Sequence, residues 1–368
     1  MLYLDNAATT KINKKVLQEM LEAQFAYGNS EAKFYAPAEE AKKIIYLARR
    51  RVANIVNASP EEVIFTSGAT EANNLVLKGS YFQNLRRKNK IVISSIEHSS
   101  VYDTCKFLEG IGAELAVVSV DKTGMLNLAE LDDCLDEKTT LVSIIYVNNE
   151  IGTIQNLAAI DEICKKHKVK LHIDATQAVG KVKIDISKYS SLNYITFTAH
   201  KIYGPKGVGC LIKRNVDDND IIPLLHGGEQ ENGFRAGTLA NELIVGFGKA
   251  CEIAQLDFDD NHRKLLEYEN IVIRKLRDKF RTHMVINNDF SNRIAGLLNV
   301  RLRGYNNMVL LKAISSDIAA STGSACAVSK PSRVLLNMGF DETSINESIR
   351  FSISPYEEIS NFDFLDKL

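Results

Sequence analysis

Short runs of apolar and β-branched residues recur along the first two-thirds of the chain: EEVIFTSG, NKIVISSIEH, AELAVVSV, TLVSIIYVN, VKLHIDA, LNYITFTAH and GVGCLIK. Each has strand length, and several are separated by segments with helical spacing, such as LAAIDEICKKHK. Alternation of strand and helix predicts an α/β fold with a mostly parallel central sheet flanked by helices, whose ligands sit beyond the carboxyl ends of the strands. Upstream, KKVLQEMLEAQFAY and PAEEAKKIIYLARRRVANIV carry apolar residues at helical spacing, the second with Pro37 near its start.

Past about residue 250 the pattern changes. DFDDNHRKLLEYENIVIRKLRDKF reads as one long amphipathic helix leaving the first unit. GLLNVRL, DIAASTG, a short helix after Pro331 and the strand RFSIS then predict a smaller α+β C-terminal domain. The length, 368 residues, exceeds what one core usually serves. The expected division is a large domain over 12–250 and a small domain over 251–368, joined by residues 1–11.

Charge narrows the partners. Lys+Arg number 45 and Asp+Glu 46, a net charge of -1, so no overall field attracts nucleic acid or an anionic membrane, and a small-molecule substrate is favoured over direct nucleic-acid contact. The six cysteines, at 105, 134, 164, 210, 251 and 326, lack CxxC spacing, which argues against a zinc site and a disulfide scaffold. MLYLDNAATT has no basic leader and no apolar signal stretch, and nowhere do 18 apolar residues run together. The expectation is a cytoplasmic chain without a membrane span.

Candidate chemistry follows the strand runs. Thr66, Ser67, Gly68, Ala69 and Thr70, with Glu71 opening a helix, suit a phosphate or carboxylate, or a simple helix cap. GxxxxGK and GxGxxG are both missing there, so a nucleotide is not expected. Asp174 closes the HIDA run, and Lys201 follows the next strand in TFTAHKIYGPKG. A lysine that forms an imine with an aldehyde, and an aspartate that keeps a pyridine nitrogen protonated, fit pyridoxal 5′-phosphate. The alternatives are that Asp174 caps a helix and that Lys201 or Lys206 is solvated. His98 could face a planar ring and handle protons, or be a satisfied loop histidine. His200 and Thr198, beside Lys201, are candidates for phosphate contact. Cys326, in SSDIAASTGSACAVSK, could be packing, a metal ligand or a nucleophile; its small neighbours favour access or movement.

Together these stretches resemble the NifS/IscS-like cysteine desulfurases of the fold-type I pyridoxal-phosphate (class V aminotransferase) family. The resemblance is carried by YLDNAATT, FTSGATEANN, EHSS, VNNEIGTIQ, HIDATQAVGK, TAHKIYGPKGVG, FRAGT, STGSAC and SIRFS, in order across nearly the whole chain. It implies that Lys201 bonds the cofactor aldehyde, Asp174 partners the pyridine nitrogen, Gln177 donates to the phenolic oxygen and His98 stacks on the ring. Thr70, Thr198 and His200 would hold the phosphate, and Asn149 and Arg350 the substrate carboxylate. Thr238 would reach a phosphate in the other subunit's site, implying a homodimer. Cys326 would attack the sulfur of L-cysteine, leave L-alanine and carry a persulfide to a sulfur-acceptor or scaffold protein. His98 is also a candidate for proton transfers around that thiol. The catalysis implies no metal, although Cys326 is a candidate iron–sulfur ligand.

The resemblance has one departure: STGSACAVSKPS stands where IscS-like members continue SSGSACTSxxxxPS, shortening the tether between Cys326 and Pro331. Iron–sulfur assembly, tRNA thiolation and DNA phosphorothioation all stay open as pathways. So does another amino-acid reaction that bypasses Cys326: a selenocysteine lyase, a β-lyase or an aminotransferase.

Overall fold

The computed structural model describes residues 1–32, 34–85, 87–323 and 331–367. Its strands are β1 Leu2–Tyr3, β2 Val63–Thr66, β3 Lys90–Ser94, β4 Glu114–Val118, β5 Thr139–Ile145, β6 Lys170–Asp174, β7 Leu192–Thr198, β8 Gly209–Lys213, β9 Met284–Ile286, β10 Leu297–Leu302, β11 Ile318–Ala319 and β12 Ser348–Ser352. The apolar runs of the sequence thus become β2 to β8, which form one seven-stranded sheet in the order β2-β8-β7-β6-β5-β3-β4.

Within this sheet β3, β4, β5, β6 and β7 pair parallel, while β8 is antiparallel to both its neighbours. Residues 199–208 join β7 to β8 and are too few for a crossover helix, so the chain must turn back on itself. Helices cover both faces, and β3, β5, β7 and β8 are buried at every position. This is why they read as continuous apolar runs rather than alternating ones.

The side chains still alternate between two cores. Val63, Phe65, Val92, Val142, Ile195 and Phe197 face the core shared with the helices Ala36–Asn54 and Asn241–Leu256. Ile64, Ile91, Ile93, Leu141 and Tyr194 face the core shared with Ala69–Asn84 and Ser99–Gly110. Among the described residues no helix is long and apolar enough to cross a membrane.

The C-terminal part has its own core. β10 lies between β12 and β9 in an antiparallel sheet. The helix Phe258–Phe280 lays Leu265, Tyr268, Val272, Leu276 and Phe280 against Leu298, Val300, Ile349 and Phe351. Leu2 and Leu4 join this core, and β1 pairs with β11. From there the chain crosses to the large sheet, where the Thr10 amide donates to the His200 carbonyl at 3.0 Å and the Asn13 amide to Tyr203 at 2.9 Å. The separate cores support, as a proposal, a division near residue 250 with residues 1–11 counted in the small part, although Ala7 and Ala254 pack in the large core.

One buried ion pair ties the long helix to the segment before β10. Arg293 Nη1 donates to Glu269 Oε2 at 2.8 Å and Nη2 to Oε1, while the Gly296 amide donates to Oε2 at 2.8 Å. Both side chains are only 5% exposed, so removing one partner strands a buried charge. Glu269→Ala is expected to lower the unfolding free energy by about 3 to 5 kcal/mol in urea unfolding; a loss below about 1 kcal/mol would give this pair the small weight of a surface contact.

Candidate active site

A cavity of about 490 Å³ opens at the carboxyl ends of the central strands. Ser67, Gly68, Ala69 and Thr70 reach it after β2, His98 and Ser100 after β3, Asn149 after β5, Asp174, Thr176 and Gln177 at and after β6, and Thr198, His200 and Lys201 at and after β7. Residues 7–9 and Arg350 of β12 close it from the small core's side. The sheet's topology alone explains why residues so far apart in sequence meet here.

Asp174 sits at the floor, 3% exposed. Its Oδ1 accepts from the Thr176 amide at 3.0 Å and its Oδ2 from Asn73 Nδ2 at 2.9 Å. Asn73 is fully buried; Nδ2 also donates to Ser100 Oγ at 2.9 Å, and Oδ1 accepts from Thr196 Oγ1 at 2.5 Å. Thr196 in turn lies 3.1 Å from His172 Nε2, and His172 Nδ1 lies 2.8 Å from Ser143 Oγ. Burial holds the His172 imidazole down to about 4, against the pull of Asp174, so it is neutral beneath the floor.

At the opposite end the helix Ala69–Asn84 begins at Gly68, which has no side chain to cap it. Its first amides are therefore left for a ligand. Gly209 permits this approach, because a Cβ there would stand 2.7 Å from Gly68 Cα. Thr70 is exposed beside the opening. Thr198 Oγ1 donates to the Val208 carbonyl at 2.9 Å, so its oxygen is left as an acceptor and must turn to donate to an anion. Burial, then the charges of Lys201, Lys206 and Lys181, push the His200 imidazole down to about 4. A pocket so crowded with positive charge suits a phosphate.

Lys201 Nζ donates to the Ala7 carbonyl at 2.5 Å and to Ala8 at 2.7 Å. Gln177 Nε2 donates to Ala7 at 2.8 Å, and Gln177 Oε1 accepts from Lys181 Nζ at 2.9 Å. Because Lys181 occupies Oε1, the amide presents its N–H side to a ligand. Burial and the Lys201 charge lower Lys181 to about 7.

Arg350 is 1% exposed. Its Nη2 donates to Asp5 Oδ1 at 2.7 Å and its Nη1 to the Asn149 carbonyl at 3.0 Å. Among the described residues its buried Nε has no partner, a donor suited to a carboxylate. Cys326 lies outside the described residues. The chain on either side of its segment reaches Glu150, next to Asn149. Ser332 Oγ donates to Glu150 Oε2 at 2.5 Å, and a Cβ on Gly323 would stand 2.6 Å from the same oxygen.

The structure thus brings Thr70, His98, Asn149, Asp174, Gln177, Thr198, His200, Lys201 and Arg350 around one cavity. Thr238 is elsewhere, on a surface hollow with Tyr27 and Asn29. Sequence reading missed Asn73, Ser100, Lys181 and Asp5 as site components. All four lie inside quoted motifs, but only the partners revealed by folding single them out.

The chain matches the family described as Aminotransferase class-V over residues 2–365. The chain belongs to that family, in its NifS/IscS-like group of pyridoxal-phosphate enzymes. It is 37% identical over 373 residues to a curated relative, cysteine desulfurase IscS of Pseudoalteromonas translucida (strain TAC 125), with 100% of this chain and 91% of the relative covered. Among solved structures it is similar to a NifS-like protein, with a TM-score of 0.92 at 34% identity, covering 100% of this chain and 97% of that one. It is also similar to SspA in complex with cysteine, with a TM-score of 0.85 at 32% identity, covering 97% of this chain and 100% of that one. Pyridoxal 5′-phosphate is the cofactor of this group, and the residues around the cavity fit it: a carboxylate at the floor, a lysine amine at the wall, and a cationic pocket at the helix start.

Beside the cavity, Glu97 binds β3 to β5. Its Oε1 accepts from the Ile145 amide at 2.8 Å and from Ser94 Oγ, and burial pushes its carboxyl up to about 8. Because the folded value is raised, the stability Glu97 contributes is complete below its unfolded value of 4.5 and is lost as pH rises through about 8. Glu97→Gln keeps the accepting oxygen and does not titrate. Urea unfolding from pH 5 to 8 should show its stability relative to wild type rising with pH, by at most about 1.4 kcal/mol per unit; a constant difference would mean that Glu97 is ionised in the fold.

Proposed function

We propose that this chain performs its group's cysteine desulfurase reaction in the cavity described above, with Cys326 as the thiol that receives sulfur. The observation that carries the assignment is the convergence of Asp174, Lys201, His98 and Arg350, from four separate stretches, on one cavity with a cationic end. When bound, pyridoxal phosphate supplies an aldehyde that bonds amines and a ring that accepts electrons from the substrate's α-carbon.

In this reading Asp174 keeps a proton on the ring nitrogen, with Asn73 and the Thr176 amide aiming its oxygens. Gln177 offers its N–H to the phenolic oxygen. Thr70, Thr198, His200 and the amides after Gly68 take the phosphate. Lys201 holds the aldehyde and, when the substrate amine replaces it, takes up the α-proton. Arg350, with Asn149, binds the substrate carboxylate as a fixed donor fork. The Cys326 thiolate then attacks the substrate sulfur: a sulfur–sulfur bond forms, and the carbon–sulfur bond breaks with its electron pair left on the β-carbon. Protonation of that carbon and return of the α-proton from Lys201 would yield alanine, and Cys326 would hold the persulfide.

The other five cysteines support this choice by their surroundings. Cys105, Cys164, Cys210 and Cys251 are buried and Cys134 half-buried. Burial raises all their thiols, Cys164 to about 12, which disfavours the nucleophilic thiolate. Their free state also fits a reducing compartment, and we place the chain in the cytoplasm. Sulfur then passes from Cys326 to an acceptor or scaffold protein.

We further propose a homodimer in which Thr238 completes the partner's phosphate pocket. Thr238 lies beside Tyr27, which is 81% exposed, and Phe25 at 82% and Phe34 at 95% are exposed as well. Such exposed aromatics call for cover.

A single turnover with L-cysteine should add the mass of one sulfur atom to the Cys326 peptide and release alanine. C326A should form no persulfide and fail to turn over; alanine release at the wild-type rate in C326A would move the chain to another reaction of the same family. Mixing K201A with T238A subunits should restore activity, because a hybrid pairs an intact Lys201 with an intact Thr238 across the interface. Activity of the mixture no greater than the mean of the two variants would confine Thr238 to its own subunit.

A further inference from the structure

His98 is the N-cap of the helix Ser99–Gly110, and the cap is made by its ring. The Ser100 backbone amide donates to His98 Nδ1 at 3.1 Å. A backbone N–H can only donate, so Nδ1 carries no proton while this bond holds. Ser100 Oγ also lies 2.8 Å from Nδ1. That hydroxyl already accepts from Asn73 Nδ2, whose direction is fixed by the Asp174 carboxylate on the other side, an acceptor. The hydroxyl hydrogen is therefore left to point at Nδ1. Two donors, one from the main chain and one from the side chain of Ser100, meet a single ring nitrogen.

His98 lines the cavity, and with Nδ1 turned into the helix start the nitrogen left for the cavity is Nε2. We infer that His98 is locked as the neutral tautomer bearing its proton on Nε2, and that it serves the reaction as a fixed hydrogen-bond donor and ring partner, not as its acid or base. A proton on Nδ1 would meet the Ser100 backbone amide, which can only donate, and would break the helix cap; the hydroxyl alone could turn to accept it. Without that proton, Nε2–H has nothing to accept with and would leave an imidazolate if it gave its hydrogen away. The charged groups around the ring are Asp174, Lys201, Arg333 and Asp103 of its own helix. Burial, with Lys201 and Arg333, holds the imidazole below its ordinary range against the pull of Asp174.

Ser100 and Asn73 are then positioning residues, acting on the cavity only through His98 and Asp174. Proton transfers around the thiol, a role open to His98 from sequence, fall to Lys201 or to the substrate's own groups. This inference deepens the proposed desulfurase reading, yet it is read on the protein's own nitrogens: a chain that failed to desulfurate cysteine would still report the tautomer.

The test is ¹⁵N NMR of the pyridoxal-phosphate-loaded enzyme labelled at its seven histidines, with the His98 signals identified by their loss in H98Q. The expected spectrum has an unprotonated Nδ1 and a protonated Nε2 that do not change between pH 6 and 8. A protonated Nδ1, or titration within that range, would overturn the inference. In turnover of L-cysteine, H98Q, whose amide N–H can stand in for Nε2–H, should stay within about tenfold of wild type, the scale of one hydrogen bond. H98A should fall further. An acid–base role would instead cost both variants alike about 10² to 10⁴ in kcat; equal losses in two variants with the wild-type cofactor spectrum would overturn the donor role.

Discussion

The carboxylate of Asp174 sets the direction of a chain of hydrogen bonds beneath the cavity and along one side of it. As an acceptor it takes the N–H side of Asn73, which leaves the Asn73 carbonyl for the Thr196 hydroxyl. Thr196, having given its hydrogen, must accept from His172 Nε2, and His172 Nδ1 must then accept from Ser143. On the other branch, Asn73 donates to Ser100, and Ser100 donates to His98. One anion thus orders six side chains in β5, β6, β7 and two helix starts. A buried network of this kind is worth having only when every member is satisfied, and here each atom's role follows from its neighbour's.

The small core contributes less chemistry and more geometry. β12 delivers Arg350 into the wall, held by Asp5 on one side and by the Asn149 carbonyl on the other. Two of the guanidinium's five N–H donors are therefore spent on the protein, and three are left, that of the buried Nε among them. The same region receives both ends of the segment that carries Cys326, through Glu150. In the proposed reading, substrate carboxylate and sulfur-accepting thiol are thereby referred to adjacent residues, Asn149 and Glu150, after β5.

Much of this was legible in the sequence because each sheet strand buried on both faces leaves an unbroken apolar run, and because ligands gather where such runs end. Asp174, His98 and Lys201 stand at those ends and could be singled out without coordinates. The antiparallel course of β8 was hidden, since a run such as GVGCLIK has no direction in its composition; only the shortness of residues 199–208 betrays it. Asn73 and Ser100 were hidden for a different reason. Both lie within helices, where a polar residue reads as solvated or capping, and nothing local distinguishes one that points at a carboxylate about a hundred residues away. Lys181 looked like any charged residue after a glycine until Gln177 Oε1 was found beside it.

The passage of residues 5–10 between the two cores also bears on how the molecule is made. Asn6 Nδ2 donates to the Ser352 carbonyl at 2.8 Å, the Ala7 amide donates to Ser352 Oγ at 2.8 Å, and Ala7 and Ala8 hold Lys201. Asn6 and Ala7 thus wait for Ser352, which is made much later, before they can settle. The seven-stranded sheet can assemble during synthesis, but the wall that holds Lys201 is set only once β12 has been made. A chain that stops before β12 would therefore carry Lys201 without the anchored carbonyls of Ala7 and Ala8 beside it.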